Sequence, residues 1–211
     1  MAQSDHDERE LDRLLFFSDA VFAIVMTLLV LEIRVPEVSP HLAAMEVPNK
    51  VLALGPKFFS YMLSFLVIGT YWIAHHQTFR YVRSYNRMLL WLNLLFLLSI
   101  SFIPFPTGLL GQYGNLRFAV IFYAASVGLA RLLLALEWLY ITKGPIRTSE
   151  DLGSRLAKYH SFRGFVIPLV FLISIGISFF SLNLAVYSWV LLFILDAVTW
   201  RLQRRRLDSA A

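Results

Sequence analysis

Cysteine is absent from the 211-residue sequence, which excludes disulfide bonds, thiolate metal sites and cysteine catalysis. Charge is also scarce, because only 16% of the residues are charged while 58% are hydrophobic. A soluble domain carries about 25% charged residues and interrupts its apolar runs. No internal repeat is evident, and no cleavage site of small residues follows the first apolar run, so that run is expected to be a retained helix and not a removed signal peptide.

The sequence is instead rich in long apolar runs. A hydrocarbon core of about 30 Å needs about 20 apolar residues per helix, and the sequence supplies several runs of that length. The runs are continuously apolar and do not alternate, which favours helices over a β-barrel. The sequence therefore predicts an all-α membrane protein, a single domain over residues 1–211 with six transmembrane helices.

Prolines and charges set the expected boundaries of these helices. The predicted spans are 11–33, 57–81, 87–105, 116–141, 162–180 and 185–203, with a polar, loosely ordered tail over 1–11 and a basic tail over 204–211. Segment 34–56 is expected to be an exposed loop with a short amphipathic turn around 42–54, and segment 142–160 a loop or surface helix. Helix 3 is expected to close on the turn at Pro104–Thr107.

The isoelectric point of 9.6 reflects membrane topology and not nucleic-acid binding, because the basic residues cluster beside the apolar runs. With the N-terminus inside, the inner segments hold 14 Lys and Arg residues and the outer segments hold 4. This bias predicts that both termini are cytoplasmic.

The first apolar run, Arg13–Glu32, differs from the others because it carries polar residues inside the membrane. An ionised carboxylate at membrane depth costs several kcal/mol unless it has a partner, so Asp19 is expected to make a structural or functional contact. Asp19 and Ser18 lie well off the apolar face of the helix. That apolar face consists of Ile24, Leu28 and Leu31, with Thr27 on its flank.

Polar residues of three helices are predicted to lie at one depth. At a rise of about 1.5 Å per residue, Asp19, His75 and Asn93 each lie roughly 8–10 Å from the inner surface. Two interpretations remain open: the layer holds the helices together, or it also tunes gating or a pH response through histidine. The layer consists of Ser18, Asp19, His75, His76 and Asn93, with Arg13 just below it.

Four further charged residues lie in or beside the predicted spans. Arg131 in helix 4 and Asp196 in helix 6 come at comparable depth, which predicts a buried ion pair, with Glu137 as the competing partner of Arg131. The pair is either a structural clamp or part of a transport path. Glu32, at the outer end of helix 1, is either a carboxylate that attracts cations to a pore mouth or an ordinary interfacial charge.

The pattern Arg13-x-x-x-Phe17-Ser18-Asp19, which runs on into the apolar helix, resembles the signature of the transmembrane-protein-175 family of potassium channels. Trp72 with the histidines that follow it, and Asn93, support the resemblance, and the six-span layout matches over essentially the whole chain. The family contains the endosomal and lysosomal potassium channel and shorter prokaryotic relatives. The resemblance thus implies an integral protein of a prokaryotic cell membrane.

The resemblance implies a passive, weakly potassium-selective cation channel that assembles as a homotetramer around the first helices. Ile24 would form the hydrophobic constriction, Leu28 and Leu31 would add further apolar rings, and Thr27 would be tied to potassium preference. No TVGYG-type filter loop is present, and no cofactor is expected beyond the permeant potassium ion or other monovalent cations. The residues implied to hold the helices together are Arg13, Phe17, Ser18, Asp19, Trp72, His75, His76 and Asn93.

Two other functions are alternatives to a channel. A secondary transporter or proton-coupled carrier would use Asp19 and the helix 2 histidines, but the chain shows no repeat and no helix interrupted at mid-membrane by Gly or Pro. An intramembrane enzyme or haem protein would use His75 and His76. Adjacent residues project about 100° apart on a helix, so these two histidines cannot easily ligate one metal, and an enzyme is not expected.

Overall fold

The computed structural model describes residues 2–146, 148 and 154–190, with side chains over 9–146, 148 and 164–190, and it is nearly all helical. The helices are α1 (Ala2–Leu28), α2 (Ala43–Leu52), α3 (Gly55–Phe79), α4 (Arg87–Phe102), α5 (Pro104–Tyr113), α6 (Arg117–Lys143) and α7 (Ser154–Ser178). Short 3-10 turns occupy Leu29–Glu32 and Pro40–Leu42, and a further helical segment covers 182–190. The predicted all-α class is therefore confirmed.

Four segments of the described chain are long and apolar enough to cross a membrane: Arg9–Glu32, Gly55–Phe79, Arg87–Tyr113 and Arg117–Lys143. They correspond to predicted helices 1 to 4. The apolar part of α7, Gly164–Ser178, is shorter than these, and most of predicted helix 6 lies outside the described residues. The number of six spans thus remains a prediction.

The N-terminal segment differs from the loosely ordered tail that was expected, because α1 already begins at Ala2. Arg9, Glu10 and Leu11 are good helix formers, and they continue the helix outward from the membrane span. The Glu10 and Arg13 side chains form an ion pair of 2.9 Å three residues apart, a spacing that supports a helix.

The expected end of helix 3 at Pro104 is wrong, because the chain resumes a helix immediately after Ile103. Pro104 is the first residue of α5, where a proline is well tolerated since its missing N–H would have no partner there. The Thr107 hydroxyl donates to the Ile103 carbonyl oxygen at 2.8 Å and reinforces this first turn. Helices α4 and α5 together make the span Arg87–Tyr113.

The core of the described chain forms where α6 packs against α4, α5 and α7. The buried face of α6 carries Val120, Tyr123, Val127 and Ala130, and its small and branched residues allow close helix packing. In contrast, α2 has no buried residue, so segment 34–54 forms an exposed connection with a short helix near the predicted amphipathic turn. Helix α1 joins the core at one edge, against α3 and α4.

Candidate functional site

Helix α1 is covered on one side only. Phe22, Val25 and Leu29 are buried against the core. The opposite side carries the apolar stripe, in which Ile24, Leu28 and Leu31 are 57%, 43% and 67% exposed. The face of Ile24, Thr27, Leu28 and Leu31, hereafter the open face of α1, is therefore left without a partner by the other described residues.

Thr27 places the one hydroxyl group on the open face. Its Oγ1 donates a hydrogen bond of 2.7 Å to the carbonyl oxygen of Ile24, one turn earlier in α1. Because a hydroxyl has one proton and two lone pairs, the oxygen retains acceptor capacity after this bond is made. An exposed oxygen with free lone pairs is the kind of ligand that alkali and alkaline-earth cations accept.

A chain of buried hydrogen bonds joins α1, α4 and α3 on the other side of α1. The Ser18 hydroxyl donates to the Leu14 carbonyl oxygen at 2.9 Å, and it accepts from Nδ2 of Asn93 at 3.0 Å. Oδ1 of Asn93 lies 2.9 Å from Nε2 of His75. The amide oxygen can only accept, so the direction of the chain makes His75 the donor and places its proton on Nε2.

Asp19 lies beside this chain and has a partner of its own. The indole N–H of Trp72 donates to Oδ1 of Asp19 at 2.8 Å, which joins α3 to α1 a second time. Asp19 itself is half-buried, whereas its hydrogen bond with Trp72 is exposed, at the edge of the helix interface. The expected partner of Asp19 is therefore a neutral donor, the indole of Trp72, and not a basic residue.

Three of the residues that the resemblance implies to hold the helices together lie outside these contacts. Arg13 pairs with Glu10 and its side chain is 77% exposed, while Phe17 is exposed on the same side of α1 as Ile24. His76 is exposed, with its ring 6.1 Å from that of Trp72. Within the described chain, the buried chain of hydrogen bonds thus contains His75 and not His76.

A second buried polar cluster lies nearer the other end of the helices. The hydroxyl groups of Ser64 in α3 and Tyr123 in α6 lie 2.9 Å apart, and the Thr107 hydroxyl of α5 lies 2.7 Å from that of Ser64. Sequence reasoning missed this cluster, since isolated hydroxyl residues in apolar runs usually bond their own helix. The available signal was that Thr107 follows two prolines, a pattern that is compatible with the start of a new helix as well as with the end of one.

The two charged residues in the middle of α6, Arg131 and Glu137, are buried. The Arg131 guanidinium lies 5.6 Å from the centre of the Tyr71 ring, a cation–π arrangement, whereas the predicted partner Asp196 lies outside the described residues. Glu137 is fully buried, and neither of its carboxylate oxygens is hydrogen-bonded to Arg131 or to any other described residue. Glu32 is half-buried at the end of the 3-10 turn that follows α1, where its carboxylate lies against Gly108 of α5.

These features define a polytopic α-helical membrane protein whose first helix keeps one face open. A family model described as the endosomal/lysosomal potassium channel TMEM175 matches residues 13–104. A potassium channel of Streptomyces collinus is 34% identical over 187 residues, which cover 84% of this chain and 87% of the relative. The chain belongs to the TMEM175 family.

Two further relatives extend the comparison. The crystal structure of a lysosomal potassium-selective channel TMEM175 homologue from Chamaesiphon minutus has a TM-score of 0.78 and 28% identity, and the match covers 90% of this chain and 98% of that one. The endosomal/lysosomal proton channel TMEM175 of Danio rerio is 27% identical over 185 residues, 86% of this chain but only 35% of that protein. The similarity therefore spans nearly the whole of the prokaryotic homologue and about a third of the vertebrate protein.

Proposed function

We propose that the protein is a passive potassium-selective cation channel, weakly selective over sodium, and that it works as a homotetramer with α1 of each subunit lining a central pore. The observation that carries the proposal is the open face of α1. A pore needs a helix that packs its subunit on one side and leaves the other side free for the ion path. The family and the names of the relatives point to the same activity.

The apolar stripe forms the constriction of this pore. Four copies of Ile24, Leu28 and Leu31 around an axis give successive apolar rings, and such rings control ion passage by excluding water. Thr27 stands between Ile24 and Leu28 and supplies the oxygen ligand within the rings. Its hydroxyl proton is engaged with the Ile24 carbonyl, so the oxygen faces the path as an acceptor and sets the preference for potassium.

The buried contacts keep the pore helix in place. Ser18, Asn93 and His75 fix the inner half of α1 to α4 and α3, and the Asp19–Trp72 bond adds a second attachment. Arg13, Phe17 and His76 are exposed in the single chain, which makes them available for contacts between subunits. Asp196 is assigned as the partner of Arg131 in a buried clamp, and Glu32 as the charge at the outer pore mouth.

The basic residues determine how the channel sits in its membrane. Both termini are assigned to the cytoplasm of a prokaryotic cell, since Lys and Arg are concentrated in the segments on that side. The pore mouth with Glu32 then faces outward, and the Ser18–Asn93–His75 contacts lie in the inner half of the membrane.

Potassium flux into liposomes that contain the purified protein tests this proposal. Wild type should carry potassium without a coupling gradient, Ile24→Ala should increase the flux, and Thr27→Ala should lower the potassium-to-sodium ratio. Leu98→Ala and Ser101→Ala are matched controls, because both residues are exposed on α4, away from α1, and Ser101 makes the same kind of bond to its own helix. Flux that is equal in all five proteins would refute the pore assignment.

A second candidate is proton transport, either as conduction or coupled to another ion. It is favoured by the name of the zebrafish relative and by the buried His75, whose Nδ1 has no hydrogen-bond partner among the described residues. A pH-sensitive dye inside the same liposomes separates the candidates. Acidification that requires His75 and persists without potassium would support proton conduction, whereas strictly coupled, saturable flux would support a transporter.

A further inference from the structure

The outer end of α1 lies against α5 at a glycine. Glu32 ends the 3-10 turn Leu29–Glu32, which begins with the fully buried Leu29. A Cβ atom built on Gly108 would overlap Oε2 of Glu32 and would lie 2.8 Å from its Cδ. Cβ atoms do not approach other atoms so closely. The carboxylate therefore occupies this position against Gly108, hereafter the seat, only because residue 108 has no side chain.

Glu32 and Gly108 come to the same level along their two helices. Ser18 and Asn93 are hydrogen-bonded and so define a common level in α1 and α4. Glu32 is 14 residues beyond Ser18, and Gly108 is 15 residues beyond Asn93. Both segments therefore rise about 22 Å from that level, and they bring Glu32 and Gly108 together at the outer end.

Polar partners do not fix the Glu32 carboxylate. No side chain within 9–146, 148 or 164–190 forms a hydrogen bond or an ion pair with it. Its position is therefore determined by packing, with Leu29 anchoring the turn and Gly108 providing the space.

We propose that Gly108 is a positioning residue for the pore-mouth carboxylate: it holds Glu32 on α5, beside the ion path and not in it. The inference rests on the proposed channel function. In this seat the carboxylate attracts cations through its field and does not become a ligand. A side chain at residue 108 would push the flexible carboxylate off α5. The neighbouring Leu31 of the open face is 67% exposed, so the described chain leaves room for the carboxylate on that side.

Displacement of Glu32 would increase the affinity of the pore mouth for calcium. Four carboxylates that converge on one entrance offer the cluster of charged oxygens that calcium prefers, whereas four seated carboxylates do not. The glycine at residue 108 therefore keeps the mouth attractive to monovalent cations without making it a divalent-cation site.

Potassium currents in planar bilayers, with calcium added to one side at a time, test this role. Gly108→Ala should be blocked at roughly tenfold lower calcium than wild type, from one side only, and the double variant Gly108→Ala/Glu32→Gln should behave as Glu32→Gln alone. Gly176→Ala is the matched control, since a Cβ there meets nothing within 4 Å. Equal block of Gly108→Ala and wild type, or increased block that persists in the double variant, would overturn the proposal.

Thermal unfolding in detergent tests the seat without any current. Alanine is a better helix former than glycine, so Gly108→Ala should raise the melting temperature in a Glu32→Ala background, and by less or not at all when Glu32 is present. Gly176→Ala should raise it equally in both backgrounds. Equal shifts for Gly108→Ala in the two backgrounds would show that Gly108 does not seat Glu32. A wild-type protein without potassium current would instead contradict the proposed function, while the thermal cycle still decides the role of Gly108.

Discussion

The indole N–H of Trp72 donates to the Asp19 carboxylate across 2.8 Å, one residue after Ser18 receives the Asn93 amide at 3.0 Å. Neighbouring residues of α1, which project about 100° apart, thus bind two different helices. Helix α1 is held in both rotation and height, because a helix that turned to improve one contact would lose the other.

We expect Trp72→Phe to destabilise the protein by about 0.5–1.5 kcal/mol, because the hydrogen bond from the indole to the Asp19 carboxylate is lost. The melting temperature in detergent measures the effect. Trp91→Phe is the control, since Trp91 is 55% exposed. Similar losses in the two variants would mean that the indole ring matters through its packing and not through its donor.

His75 and His76 should differ sharply although they are adjacent. His75→Phe removes the donor to Asn93 and leaves a buried amide oxygen unsatisfied, which costs about 1–3 kcal/mol. His76→Phe alters an exposed ring and should change stability by less than about 0.5 kcal/mol. Thermal unfolding of the two variants side by side decides this. A larger loss for His76→Phe would place the important histidine at a subunit contact.

Tyr123→Phe tests the second polar cluster. The substitution removes the hydroxyl that lies 2.9 Å from Ser64, and we expect a loss of about 1 kcal/mol, because Thr107 still bonds Ser64. Tyr187→Phe, at a tyrosine that is 62% exposed, should leave stability unchanged. Combined with Thr107→Val, the loss should be smaller than the sum of the single losses, since both groups share one partner.

The absence of cysteine allows a clean accessibility experiment, because any introduced thiol is unique. Ile24→Cys should make potassium flux sensitive to cadmium, since thiols of four subunits would meet at the constriction. Leu98→Cys, at an exposed position of α4, should remain insensitive. Insensitive flux in the Ile24→Cys protein, with its thiol still open to labelling, would move the constriction elsewhere.

The sequence predicted the membrane class and the common level of Ser18, His75 and Asn93, because both depend on regularities along the chain. Apolar run length indicates the spans, and rise per residue brings Ser18, His75 and Asn93 to one level. The choice between His75 and His76 also requires the rotation of α3 about its axis. That rotation is set by the packing of α3 against α5 and α1, and a run that is apolar on all sides of the helix does not predict it.

The end of helix 3 shows another limit. Proline disfavours helix in the residue before it and favours helix at the first position after a cap, so Pro104 is consistent with either an end or a new beginning. The contacts of Thr107 with Ile103 and Ser64 select the second outcome. Neither contact is local enough to be predicted from spacing.

The change from α-helix to 3-10 helix after Leu28 sets the length of the open face. A 3-10 segment rises about 2.0 Å per residue instead of 1.5 Å, so the distance along the axis from Ile24 to Leu31 is about 12 Å. It also turns about 20° more per residue, which rotates Leu31 by roughly 60° relative to a continuous α-helix. A small change in helical twist at Leu28 would therefore change the length of the open face and rotate the side chain of Leu31, without moving the buried half of α1.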